Sequence, residues 1–266
     1  MVIVWGKKHV FSKLGYVADF CPICRKPRAF EVRRVGLAGH VYYITVSQGD
    51  LIGYERTCLK CKTILNAEPT DYASIPKKNE PLPALVKKSN PHMLEVLKDR
   101  LALEERIRKA PESLRDEDRF ALIKTPFYLL SPMVERRLAK VTLDLEFCLA
   151  VGASIVLFKT VPNLAERYIP QYADKALLAT MVISLLLVFW QILTSGSRYV
   201  RKQIVPVLAI SLKPLRPKVS ELNVIVREMK AQKHKLGRKI RVADIQHYLK
   251  ENQNGGKEPS QSAKAG

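Results

Sequence analysis

Four of the five cysteines fall into two C-x-x-C pairs, Cys21 with Cys24 and Cys58 with Cys61, with 33 residues between the pairs. Each C-x-x-C turn brings two sulfurs toward one ion, and two such turns supply the four thiolates of a tetrahedral site. That donor set suits Zn²⁺, with Zn–S of about 2.3 Å. An iron site of the rubredoxin kind uses the same ligands, and spacing alone leaves it open. Four cysteines fill the coordination sphere and leave no position for water or substrate, so the metal is expected to be structural. Arg25, Lys26, Lys60 and Lys62 flank the ligands and partly offset the double negative charge of a zinc–tetrathiolate centre. Cys148 lies in an apolar run and reads as a packing residue.

The remaining chemistry-bearing residues are dispersed. His9, His40, His92, His234 and His247 form no H-E-x-x-H or related pattern, and each reads as a surface or packing residue. Asp116, Glu117 and Asp118 form an acidic run suited to a helix N-terminus. Asp144 and Glu146 stand at the edge of an apolar segment, where pairing with Arg137 or Lys140 is expected rather than a transport role. No nucleophile is accompanied by a recognisable base. The expectation is a protein that is not an enzyme.

The elements that must position the thiolates read as a small β domain. Ala29–Val35 and His40–Ser47 are candidate strands separated by a turn at Gly36–Gly39, and Leu51–Cys58 follows the turn at Gln48–Asp50. A three-stranded sheet of this size buries little apolar surface, the situation in which a structural metal supplies missing stability. The arrangement resembles a zinc ribbon over residues 20–65. The longer stretch from V-A-D-F-C-P-I-C-R through G-L-A-G-H-V-Y-Y-I to T-C-L-K-C also resembles a group of uncharacterised bacterial membrane-anchored zinc-ribbon proteins. That resemblance implies a bacterial inner-membrane setting and nothing about activity. Arg25 and Lys62 stand where such knuckles often have glycine.

The fold class expected is α+β, with the ribbon at residues 1–68 and a Pro-rich linker with cytoplasmic helices at 69–140. Pro69, Pro76, Pro81 and Pro83 suggest a solvated linker to about residue 90. Asn90–Pro91 then opens a helix on which Leu94, Leu97, Leu101 and Ile107 recur at helical spacing. A short helix at 116–124 follows, and Ser131–Pro132 opens a third that runs into the first apolar segment.

A transmembrane hairpin is expected at 141–195, with spans at about 143–161 and 176–194. Ala176–Leu193 holds 18 residues without a charge, about 27 Å of helix against a hydrocarbon core of roughly 30 Å. Phe147–Phe158 is shorter, but Lys159 can snorkel, and Ala150, Gly152, Ala153 and Ser154 offer a close-packing surface. Thr160–Lys175 reads as the connecting loop, turned by Pro162 and Pro170. The basic helical tail occupies 196–251. Within it Ile204–Leu212 is apolar, too short to cross and interrupted by Pro206, and is expected at the interface. Leu222, Ile225, Val226 and Met229 mark a helix from Ser220, and a second runs over 242–249. Residues 252–266 read as disordered.

The net charge is +20, and residues 196–266 alone carry 16 Lys/Arg against 5 Asp/Glu. Basic flanks outside a hairpin with a charge-balanced loop predict a two-span cell-membrane protein with both termini cytoplasmic. The start M-V-I-V-W meets Lys7 and Lys8 too soon for a secretory leader, and paired C-x-x-C then reads as metal binding in a reducing compartment. The partners expected are the lipid bilayer, anionic head groups at Lys230, Lys233, Lys235, Arg238, Lys239 and Arg241, and an unidentified protein partner of a membrane-anchored adaptor. The alternative is a membrane-tethered nucleic-acid-binding regulator that uses the same cations on phosphates.

Overall fold

The computed structural model describes residues 5–41, 44–45, 47–139 and 144–254. They form an α+β protein: an N-terminal antiparallel sheet followed by helices. The strands are β1 (Trp5–Cys21), β2 (Lys26–Val41), β3 (Ile44–Thr45), β4 (Asp50–Cys58) and β5 (Ile64–Ala67). Their order is β1-β2-β4-β5, with β3 paired to the far end of β2. The sheet therefore has five strands rather than three, and β1 is the long partner that the sequence reading passed over.

Gly36 to Gly39 is not a turn. The strand β2 runs straight through it, with a bulge against β4 between Val35 and Gly36. Gly36 allows backbones to approach: a Cβ there would lie 2.1 Å from the Gln48 carbonyl. Arg34 secures the same loop by donating to the carbonyls of Gln48 and Gly49, both at 2.8 Å.

The proline-rich stretch is docked, not solvated. The Tyr16 amide donates to the Pro76 carbonyl at 2.8 Å, at the bulge in β1. Pro83 opens α1 (Leu82–Ser89), where its missing N–H costs nothing. Ser89 is buried and accepts from the Ala18 amide at 2.9 Å, which fastens α1 to β1. Nearby, Tyr72 donates to Asp19 at 2.9 Å, and Arg56 pairs with the same carboxylate. Helices α2 (Met93–Val96) and α3 (Lys98–Lys109) turn Met93 and Ile107 inward, whereas Leu94 is exposed.

One helix, α4 (Asp116–Leu138), replaces the two short ones expected. It continues through Pro126 and Pro132 because Ile123, Phe127, Leu130 and Val134 form an unbroken buried stripe whose packing outweighs the lost backbone bonds. Helix α5 (Leu145–Tyr168) likewise passes through Pro162, so the connection to α6 (Ala173–Tyr199) shrinks to Ile169–Tyr172. Both helices are long and apolar enough to cross a membrane. Their outward side chains stay uncovered: Leu149, Leu178, Leu186 and Trp190 are each more than 60% exposed.

Helix α6 does not stop at its basic end. It passes through a π-helical turn, Val200–Ile204, into α7 (Val205–Leu212). The wider turn lies just before Pro206, where an ordinary turn would press the ring on a carbonyl. The stretch expected at the interface is instead the middle of the core: Val205, Leu208 and Leu212 are fully buried. Helices α8 (Val219–Ala231), α9 (Lys235–Lys239) and α10 (Val242–Asn254) close around it, with Leu222, Ile225, Val226 and Met229 inward as their spacing predicts. A single hydrophobic cluster runs from Phe30 and Val32 in the sheet through Phe127 and Leu208 to Met229 and Ile245. Residues 140–143, where α4 was expected to continue into the first span, and 255–266, most of the tail expected to be disordered, lie outside the described residues.

Two outcomes follow. Leu208→Ala should cost about 2–5 kcal/mol in thermal or denaturant unfolding, with sheet and tail signals lost together because they share that cluster. Burial pushes the Tyr72 hydroxyl up to about 12, whereas an unfolded tyrosine ionises at about 10. Its contribution is complete below the lower value and lost as pH rises to the upper one. Tyr72→Phe should remove that step from the pH dependence of unfolding.

Candidate metal centre

The four sulfurs are carried on two turns that the sheet sets side by side. Cys21 ends β1 and Cys58 ends β4, while Cys24 and Cys61 follow each strand by one turn. The register pairs Val17 with Phe30 and Phe30 with Cys58, so the middle strand β2 fixes how far apart the two turns stand. Each turn closes by a backbone bond, Arg25 to the Cys21 carbonyl at 2.7 Å and Lys62 to the Cys58 carbonyl at 2.9 Å. Arg25 and Lys62 both take positive φ, 54° and 60°. The turns thus adopt the left-handed conformation that glycine usually supplies, at a cost of roughly 1–2 kcal/mol for each non-glycine residue.

All four Sγ atoms lie within 4.8 Å of one another, and all four residues are buried. Cys21 and Cys61 are 3.5 Å apart, and Cys24 and Cys58 are 4.0 Å apart. Four sulfurs at the zinc–sulfur distance have tetrahedral edges of about 3.8 Å, so the cluster fits one zinc-sized cation. Thr63 Oγ1 lies 3.2 Å from Cys61 Sγ and can donate to the thiolate. Hydrogen bonds from Cys21, Cys24 and Cys61 hold the Cys58 thiol well below its ordinary range, and those to Cys24, Cys58 and Cys61 push Cys21 well above it. Without a cation the cluster keeps protons that a metal displaces.

The residue that sequence reasoning under-read is Arg25. Its flank position suggested general charge compensation, but the side chain is 4% exposed and makes a directed link. Nη1 meets Glu104 at 2.8 Å, and Nε donates to the Ser211 carbonyl at 2.9 Å, near the end of α7. Arg100 pairs with the other Glu104 oxygen at 2.9 Å. The first knuckle is thereby fastened to α3 and to the long helix. Glu104 itself was legible as an oddity, a carboxylate three residues from the buried Ile107 on an otherwise inward face.

The other candidates stay apart from the cysteines, which form the single group of this kind among the described residues. His9 is exposed, while His234 Nδ1 lies 3.1 Å from both Ser131 and Glu135. Asp116, Glu117 and Asp118 occupy the first turn of α4. Asp144 caps α5 and pairs with Arg198 at 3.0 Å, and Glu146 pairs with Lys202 at 2.5 Å. These partners come from α6 and the π turn rather than from Arg137, and Lys140, the other partner expected, lies outside the described residues. Cys148, expected to pack, is exposed on α5.

No family model, curated protein or solved structure matches this chain.

Elemental analysis of the purified chain should give one zinc per chain, and Cys58→Ser should lose it. Because the ligands must be deprotonated, acidification should release the metal as the thiolates take up protons, with sheet signals lost in the same step. Metal retained by the serine variant would contradict the tetrathiolate site.

Proposed function

We propose that the chain is a two-span membrane protein whose cytoplasmic part is a non-catalytic adaptor braced by a structural zinc. The observation behind this reading is the continuous helix Pro170–Leu215, apolar enough to cross over its first part and buried in the metal-linked core over its last. Four thiolates on one ion leave it no open coordination position, which favours a structural over a catalytic role.

Charge supports a cytoplasmic placement of both ends. Arg136 and Arg137 of α4, Arg198 of α6, Arg201 and Lys202 of the π turn, and Arg238 and Lys239 of α9 lie toward one end of the helical hairpin. At the other end Glu166 and Arg167, then Asp174 and Lys175, cancel. Cations concentrate on the cytoplasmic side of bilayers, where lipids are anionic. Lys239 Nζ donates to the Leu193 carbonyl at 3.4 Å, which sets α9 against the last apolar turn of α6. That position favours head groups over nucleic acid as the anions these cations meet.

Reporter fusions at residue 130 and at residue 252 should both signal the cytoplasmic face. The adaptor reading also expects the full chain in nanodiscs to show no more than weak, steeply salt-dependent binding of duplex DNA. Tight DNA binding at physiological salt would transfer the proposal to the nucleic-acid regulator.

A further inference from the structure

A groove of about 730 Å³ lies where the sheet meets the end of α4, within the roughly 300–1,000 Å³ of small-molecule sites. Its floor comes from one row across three strands: Phe11 pairs with Val35, and Val35 with Gly53. Paired residues share a sheet face. Gly53 leaves the floor open, since a Cβ there would meet nothing within 4 Å. Leu51 and Ile52 continue the apolar lining and are 51% and 53% exposed, and Phe11 is 47% exposed. On the other wall Arg136 of α4 reaches Glu55 at 2.5 Å, beside Ala139.

The height of this groove can be read from the long helix. Leu138, two residues past Arg136, packs on Gly196: a Cβ at Gly196 would fall 2.7 Å from its Cδ2. Gly196 follows the charge-free stretch that ends at Leu193. The groove is therefore level with the boundary where α6 leaves its apolar segment. The metal knuckle, by contrast, docks at Ser211, about 22 Å further along the helix at 1.5 Å per residue. From there β4 runs back from Cys58 to Leu51, toward the apolar end. Exposed Lys7 lies on the groove's sheet face, in alternation with His9 and Phe11.

We propose that this groove holds an acyl chain of an anionic phospholipid from the adjoining leaflet, with Lys7 toward its phosphate. The inference rests on the reading of α5 and α6 as membrane spans. An apolar trough open at the level of the membrane boundary is continuous with hydrocarbon, whereas the same side chains held in water would each forfeit burial. Lys7 supplies charge complementary to an anionic head group on the groove's sheet face.

The test uses the full chain in nanodiscs containing phosphatidylglycerol with a photoactivatable diazirine on one acyl chain, followed by peptide mapping. Label is expected on residues 9–11 and 51–54 as well as on α5 and α6. Gly53→Leu fills open space at an ordinary φ, so it should keep its zinc and its α5 and α6 label while groove label falls about tenfold. Ile52→Glu should act in the same direction. Label confined to α5 and α6, or groove label unchanged in Gly53→Leu, overturns the inference and leaves the spans standing. Absence of label from α5 and α6 overturns both.

Discussion

One buried guanidinium joins the two halves of this molecule. Arg25 sits in a cysteine knuckle, yet its side chain ends between Glu104 of α3 and the Ser211 carbonyl near the end of α7. Pairing a buried charge and breaking that pair are not symmetrical: removing one partner strands the other, at about 3–5 kcal/mol. The knuckle conformation is thus tied to the helix that continues from α6. A positive φ at Arg25 would ordinarily favour glycine, and the side chain that glycine lacks is the one that makes the connection.

From that link the architecture follows. The sheet is long, but its strands alone bury a narrow strip, and the two C-x-x-C turns hold its distal end together. Helix α7 then supplies a largely apolar buried surface, Val205 to Leu212, on which α4 and α10 pack and which joins the sheet and the other C-terminal helices in one cluster. The π turn before Pro206 lets that surface remain continuous with α6. Covalent continuity of the helix, rather than a flexible tether, sets where the core stands relative to the apolar hairpin.

Much of this was legible in the sequence. The cysteine spacing picked out the four residues whose sulfurs come together, because two C-x-x-C turns on one sheet have few ways to meet. The inward residues Leu222, Ile225, Val226 and Met229 were legible because a helix repeats every 3.6 residues. The failures share a cause. Gly36 and Gly39, Pro132, Pro162 and Pro206 were read as punctuation, by local propensity, and a strand or helix runs through each one. Ile204–Leu212 was too short to cross a membrane and too apolar for solvent, a pattern that also describes the centre of a core. Arg25 was read by its charge, since no sequence pattern shows Glu104, 79 residues away, coming within hydrogen-bonding distance.

The central claim is that the metal centre braces the sheet against the helix that leaves the apolar hairpin. Hydrogen–deuterium exchange of the full chain in nanodiscs, before and after zinc chelation, tests it most directly. The account predicts faster exchange in both knuckles and also in α3 and the end of α7, with α5 and the apolar part of α6 unchanged. Faster exchange confined to the knuckles, with α3 and α7 as protected as before, would contradict it.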